Sequence, residues 1–239
     1  TWAGGAIENI RHVPVEPSEA AAQELQALWD SLPDGPRGVI VSCVCPPVLS
    51  RLRNVFQERR IEPLLVLGED LEAPMNADVP DPSCVGMDRL CTAAAAFQKA
   101  QAACVVADFG TALTIDLISD DGVYLGGAIM PGIALSARAL HEHTALLPLV
   151  EVGAPTETLG KDTDSAIRNG IFAMMIGALR EVTERYATQI GKWPPLILTG
   201  GNAAEIAAQC DFVDRVMPNL CLEGILMAYR RARESNERA

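Results

Sequence analysis

Apolar and polar positions alternate along the chain between short apolar runs and longer stretches of helical period. Cys104 to Ala107 is an uninterrupted apolar run, which predicts a buried strand. After a break at Gly110 the pattern resumes as strict alternation, the mark of a second, half-buried strand. Gly38 to Val44, Pro63 to Leu67 and Pro195 to Leu198 read as further strands, the first of them buried on both faces. Ile7 to Val15 reads as a strand after a turn at Gly4-Gly5. Between these lie helices: Ser18, as N-cap, through Trp29; Val48 to Arg59; Leu90 to Ala100; Ile133 to His143; and Leu220 to about Glu234. The longest starts at Asp162 or Thr163 and runs to about Gln189, with Ile167, Ile171, Met174, Ala178, Val182 and Tyr186 at core-facing spacing. Gly68 to Val85 and Leu146 to Thr158 are loops. Asp120-Asp121-Gly122 predicts a hairpin turn into a strand at Val123 to Leu125, which leads to a Gly-rich bend over Gly126 to Gly132. Alternating strands and helices predict a layered α/β architecture.

Composition narrows the functions open to such a fold. With 239 residues, 49% of them hydrophobic, the chain is long enough for one large domain or two small ones. A net charge of −12 repels nucleic-acid backbones and anionic membrane surfaces, so neither is expected as a partner. No apolar stretch reaches the roughly 18 residues of a membrane span, and no basic segment precedes an apolar one, so a cytoplasmic location is expected. The seven cysteines are an odd number lying partly inside apolar runs, the usage of a reducing compartment without disulfides. His141-Glu142-His143 lacks the spacing of a helical zinc site, and no transition metal is expected.

Four short motifs carry candidate chemistry. Asp108-Phe109-Gly110-Thr111 joins the two central strands; Gly110 frees the backbone so that N–H groups can line one concavity, with the Thr111 and Thr114 hydroxyls beside it. That suits phosphate oxygens, and Asp108 could serve a cation or a hydroxyl there; alone, the same residues also describe a hairpin with a solvated Asp. Gly86-Met87-Asp88-Arg89 opens a helix and places a carboxylate and a guanidinium where free N–H groups favour anions, an arrangement shared with any N-capping Asp beside a surface Arg. Thr199-Gly200-Gly201-Asn202 lies between a strand and a helix, where a pair of glycines admits a flat ligand or a phosphate, or simply makes a tight connection. Gly160-Lys161-Asp162-Thr163 precedes the long helix.

In order along the chain, G-x-D-R, D-x-G-T-A-x-T-x-D, G-G-x-I-x-P-G, G-K-x-T and T-G-G-N-A resemble the type III pantothenate kinases of the actin-like ATPase and sugar-kinase superfamily. The likeness extends from Val39 to Tyr229 and includes Thr144-Ala145-Leu146-Leu147-Pro148. It implies two ribonuclease-H-like domains with a cleft between them, taken here as residues 1–103 and 104–239, and a homodimer. It also implies ATP-dependent phosphorylation of pantothenate, the first step toward coenzyme A, with magnesium accompanying ATP. By the resemblance Asp88 is the general base, and Gly86, Met87, Arg89 and Thr163 contact pantothenate. Gly110 and Thr111 meet ATP, Gly200 and Gly201 lie near adenosine, and Asp108 holds a monovalent cation, potassium or ammonium.

Two departures from the family pattern stand out. Many members carry Tyr seven residues before the first glycine of G-x-D-R, where this chain has Val79, so one wall of the pantothenate pocket is expected to differ. The family's first phosphate loop, a D-x-G-N-T-type turn between its first two strands, has no counterpart in these residues; about 15 residues would supply it. Without it, the 239 residues are expected to bind ATP weakly and to leave pantothenate unphosphorylated. Two other readings stay open: a non-catalytic relative that acts as an accessory or nucleotide-binding factor, and a kinase for another small hydroxylated acid.

Overall fold

The computed structural model describes residues 1–239 apart from Gly4, Gly5, Asn9, 12–18, Pro36 and Ala239. The expected Gly4-Gly5 turn, most of the strand expected to end at Val15 and the Ser18 cap therefore lie outside the described residues. Contacts group the chain into two compact units, one of Thr1–Pro74, Ser83–Cys91 and Cys221–Ala239, the other of Met75–Pro82 and Thr92–Leu220. The sequence division at 103/104 is a single cut, whereas these units draw on separate segments for reasons visible in the packing.

In the first unit, β1 (Trp2–Ala3) pairs antiparallel with β2 (Ala6–Ile7). Helix α1 (Glu19–Asp30) precedes β3 (Val39–Val41), α2 (Pro46–Glu58) and β4 (Leu64–Val66). The two latter strands run parallel, Val39 opposite Leu64, as a helical crossover requires. Proline at the first turn of α2 costs nothing, because those N–H groups have no partner within a helix. Trp29, Phe56 and Ile61 close one small core. A second gathers Leu67, Leu71 and Cys91 with Ala228 of α7 (Leu220–Arg238). A Cβ on Gly224 would lie only 2.0 Å from the Cys91 carbonyl oxygen, so this glycine lets α7 approach the backbone at Cys91 and draws the C-terminal residues into the unit. One expectation is corrected: β3 is half-buried throughout and Val44 is 62% exposed, because among the described residues β3 has a strand on one side only.

The second unit is built on a five-stranded sheet of order β7-β6-β5-β8-β9. It comprises β5 (Cys104–Phe109), β6 (Ala112–Ile118), β7 (Tyr124–Pro131), β8 (Leu196–Thr199) and β9 (Arg215–Val216). The first three form an antiparallel meander, and β8 and β9 run parallel to β5 and β8 respectively. That order and orientation are ribonuclease-H-like, and the α/β fold class is the expected one. Helix α3 (Met87–Ala100) contributes fully buried alanines at 93 to 96. Beyond β7 come α4 (Ile133–Glu142), α5 (Thr163–Ile190) and the short α6 (Ala203–Ala207). One core joins Val105, Ala107 and Phe109 of β5, Leu113, Ile115 and Leu117 of β6 and the buried face of α5. Residues 75–82 belong here because the Asn76 carbonyl accepts from the Tyr124 N–H at 3.0 Å and the Asp78 N–H donates back to the Tyr124 carbonyl at 2.8 Å.

Two further details differ from expectation. The Gly126-Gly127 pair continues β7, with Gly127 opposite Asp116 and a register shift between Leu117 and Ile118; the bend falls at Gly132 instead. On α5 the buried residues are Ile167, Ile171, Phe172, Met175, Leu179 and Thr183, whereas Met174 is 47% exposed. Among the described residues no helix is long and apolar enough to cross a membrane.

Candidate active site

The β5–β6 turn is the centre of the second unit's candidate site. Pairing registers Asp108 against Thr114 of β6 on one side and Thr199 of β8 on the other, so two hydroxyl-bearing residues flank the carboxylate. Asp108 is half-buried, while Gly110 and Thr111 are exposed at the turn. The Gly110 N–H donates to the Ala112 carbonyl at 3.1 Å, which folds the backbone tightly on itself. Two other segments brace this turn. Gly132 donates its N–H to the Thr111 carbonyl at 3.0 Å. Gly200 adopts φ +92°, and a Cβ there would lie 2.5 Å from Asp108 Oδ1 and 2.6 Å from the Phe109 carbonyl oxygen. Only glycine combines that positive φ with so close an approach. Gly201 follows, exposed, and the Asn202 N–H reaches the Phe109 carbonyl at 3.4 Å. Gly110, Thr111, Gly200, Gly201 and Asp108 thus share the C-terminal end of the parallel pair β5 and β8, where open α/β sheets bind ligands.

Thr163 occupies the first position of α5, behind a capping box. The Ser165 N–H donates to Asp162 Oδ1 at 2.8 Å while the Asp162 N–H donates to Ser165 Oγ at 3.2 Å. That backbone donor from Ser165, then its hydroxyl, hold the Asp162 carboxyl below the usual carboxylate range. A groove of about 1040 Å³ runs between α4 and α5 from Pro131 and Ser136 to Thr163 and Met174. Ser136 is 8% exposed and its hydroxyl has no hydrogen-bond partner among the described residues.

In the first unit, Gly86 opens α3. Its carbonyl accepts from the Arg89 N–H at 3.0 Å and the Leu90 N–H at 3.2 Å, so Met87 and Asp88 lie in the first turn. Asp88 is exposed, and its Oδ1 accepts from the Arg89 N–H at 2.9 Å. The position sets a carboxylate against the positive end of the helix dipole while leaving its second oxygen for chemistry. Val44 Cγ1 would lie 3.5 Å from a Cβ on Gly86, which brings the β3–α2 loop against this turn.

Comparison with known proteins decides what this geometry belongs to. The family model described as type III pantothenate kinase matches residues 4–185. The type III pantothenate kinase of Dehalococcoides mccartyi (strain ATCC BAA-2266 / KCTC 15142 / 195) is 38% identical over 192 residues, 80% of this chain and 74% of the relative. The chain belongs to the type III pantothenate kinase family. The Bacillus cytotoxicus member is 36% identical over 196 residues, 82% of this chain and 74% of its own. Among solved structures, a conserved putative Baf family transcriptional activator from Campylobacter jejuni shares the fold, with a TM-score of 0.59 at 20% identity over 88% of this chain and 89% of the other. The type III family match contains Gly86 to Arg89, Asp108 to Thr111 and Thr163, and ends before Gly200.

Sequence reasoning passed over two residues that this kinase's structure brings forward. Gly132 read as the plain end of a Gly-rich bend, and nothing in the sequence shows that its backbone meets the Asp108–Thr111 turn. Ser136 sits inside the apolar pattern of α4, where a lone serine gives no signal.

Proposed function

We propose that Asp88 accepts the proton of the primary hydroxyl of pantothenate while that oxygen attacks the γ-phosphorus of ATP and ADP departs. The chain is an ATP-dependent pantothenate kinase, an enzyme of the first step of coenzyme A synthesis. The observation that supports the phosphate assignment is the meeting of three backbone segments, at Gly110-Thr111, Gly132 and Gly200, at one end of the sheet. In phosphoryl transfer the barrier falls mainly through positioning and through donors around the transferring group, which a rigid glycine turn supplies.

In this reading Gly110 and Thr111 hold the phosphates, and Gly200 and Gly201 take the adenosine end. Gly86, Met87 and Arg89 bind pantothenate beside the base, with Thr163 as a second contact. Asp108 holds the monovalent cation, potassium or ammonium; a half-buried carboxylate flanked by threonines is an all-oxygen set of the kind such hard cations take. The cation offsets phosphate charge, and magnesium arrives on ATP with several of its waters kept. Exposed apolar side chains at Leu146 (91%), Leu159 (71%) and Met174 (47%) provide area for a second copy and support a homodimer; a cytoplasmic location belongs to the same reading.

The test is Asp88→Asn in the native full-length polypeptide, followed by pantothenate-dependent ADP release and by ATP binding. Turnover falls by about 10² or more with ATP affinity unchanged, the size of a general-base contribution. Undiminished turnover refutes the role.

A further inference from the structure

Gly132 follows β7 directly and serves as the N-cap of α4, with φ −75° and ψ 179°, a conformation that any L-residue adopts. Its lack of a side chain is therefore not a conformational need. The need is space. A Cβ at this position would lie 2.3 Å from the Gly110 carbonyl oxygen and 2.6 Å from that of Thr111. Both are backbone atoms, which cannot swing aside as the end of a side chain can. The Gly132 N–H meanwhile donates to the Thr111 carbonyl at 3.0 Å. The turn is thus clasped from two sides, by Gly200 through the Phe109 backbone and by Gly132 through Gly110 and Thr111.

We infer that Gly132 is a positioning residue for the phosphate turn: it touches no substrate itself and sets where the Gly110-Thr111 backbone stands for ATP. The inference rests on the assignment of Gly110 and Thr111 to ATP. To relieve a 2.3 Å approach to an ordinary contact of 3.4 Å, an added methyl displaces the turn by about 1 Å, a misplacement that can cost about 10² in rate. Because pantothenate is assigned to Gly86, Met87, Arg89 and Thr163, the KM for pantothenate is spared whether the loss appears in kcat or in the KM for ATP.

The experiment compares the native full-length enzyme with Gly132→Ala and with Gly153→Ala, a control whose added methyl meets nothing within 4 Å. ADP release is measured while ATP and pantothenate are varied in turn, with thermal melts of all three proteins. In Gly132→Ala, kcat/KM for ATP falls by about 10² while the KM for pantothenate stays within about twofold, and Gly153→Ala matches the wild type. A folded Gly132→Ala enzyme with unchanged kcat/KM for ATP overturns the inference and leaves the ATP assignment standing. A KM for pantothenate raised as far as that for ATP, together with a lowered melting temperature, also overturns it, since that describes a merely structural glycine. Should the variant not fold, amide hydrogen exchange of the wild type decides. A non-hydrolysable ATP analogue then slows exchange at Gly110 to Ala112 and at Gly132, and pantothenate alone does not. Protection at Gly110 to Ala112 without any at Gly132 overturns the positioning role; no protection at either overturns the ATP assignment and the inference with it.

Discussion

Tyr124→Phe isolates one hydrogen bond in the sheet of the second unit, between β7 and β6. The Tyr124 hydroxyl donates to Asp116 Oδ1 at 2.9 Å, and both residues are only 1% exposed. Phenylalanine keeps the ring, so packing is retained and the change is confined to one donor. Hydrogen bonds to charged groups are worth about 1.5–3 kcal/mol, and leaving a buried charge with no partner at all costs about 3–5 kcal/mol. Asp116 keeps further interactions of its own, which places the loss at about 2 kcal/mol, in the lower range. For a protein of this size that corresponds to about 4–8 °C in melting temperature. Tyr186→Phe is the matched control: its hydroxyl donates to the Ile115 carbonyl at 3.2 Å from a half-buried position, so about 1 kcal/mol or less is lost. Melts and urea titrations of the three proteins measure the difference. A Tyr124→Phe loss no larger than that of Tyr186→Phe refutes the reasoning, because burial and a carboxylate acceptor would then add nothing.

Two other perturbations have defined outcomes. Asp108→Asn removes the charge proposed to hold the monovalent cation, so activation by potassium or ammonium is lost and residual turnover becomes independent of either; a potassium titration unchanged from wild type would remove Asp108 from the cation site. Asp120 is held below the ordinary carboxylate range by hydrogen bonds from Lys192 and then from the Ala103 N–H. A depressed folded-state pKa contributes stability above the unfolded value of about 3.9 and loses it as pH falls further, so Asp120→Asn melts below wild type at pH 7 and the gap closes under acid conditions. A gap that stays constant to the lowest pH at which the protein remains folded contradicts that linkage.

How legible the molecule is in its sequence depends on whether one pattern has a single physical solution. The Cys104 run does: it is too short for a core helix, bounded by a turn, and it emerges as the sheet's central strand β5. The long helix and its Asp162 cap stand where the pattern predicts them, and the buried face lies one position further along than the pattern suggests. Met174 and Met175 are adjacent, and both fit a helical period from Ile171, so sequence alone has no means of choosing between them. Packing chose Met175, in line with Leu179 and Thr183. Gly126-Gly127 misled differently. Paired glycines usually punctuate structure, yet here they pair with Leu117 and Asp116 beside a register shift, where a strand tolerates residues without side chains. For Gly38 to Val44 the apolar run fits a strand with two covered faces, and β3 does meet apolar groups on both, Val39 and Val41 on one core and Ile40 on the other; its half-burial comes from the missing second strand neighbour among the described residues.

The candidate phosphate site was legible only as an ordered set of weak motifs, and strand register explains why. The Asp108, Gly-rich and Thr199 motifs are far apart in sequence, and each alone fits an ordinary turn. Register removes that freedom. Asp108 faces Thr199 across β5 and β8, so the glycines after Thr199 arrive beside Phe109 and nowhere else. Ala112 faces Pro131 across β6 and β7, so Gly132 arrives at Thr111. A slip of one residue in either pairing would turn core side chains outward and carry the glycine away from the turn it clasps. The same alternation that buries Leu113, Ile115 and Leu117 therefore also brings the glycine segments to the turn, and the stability of the sheet and the geometry proposed for ATP are selected together.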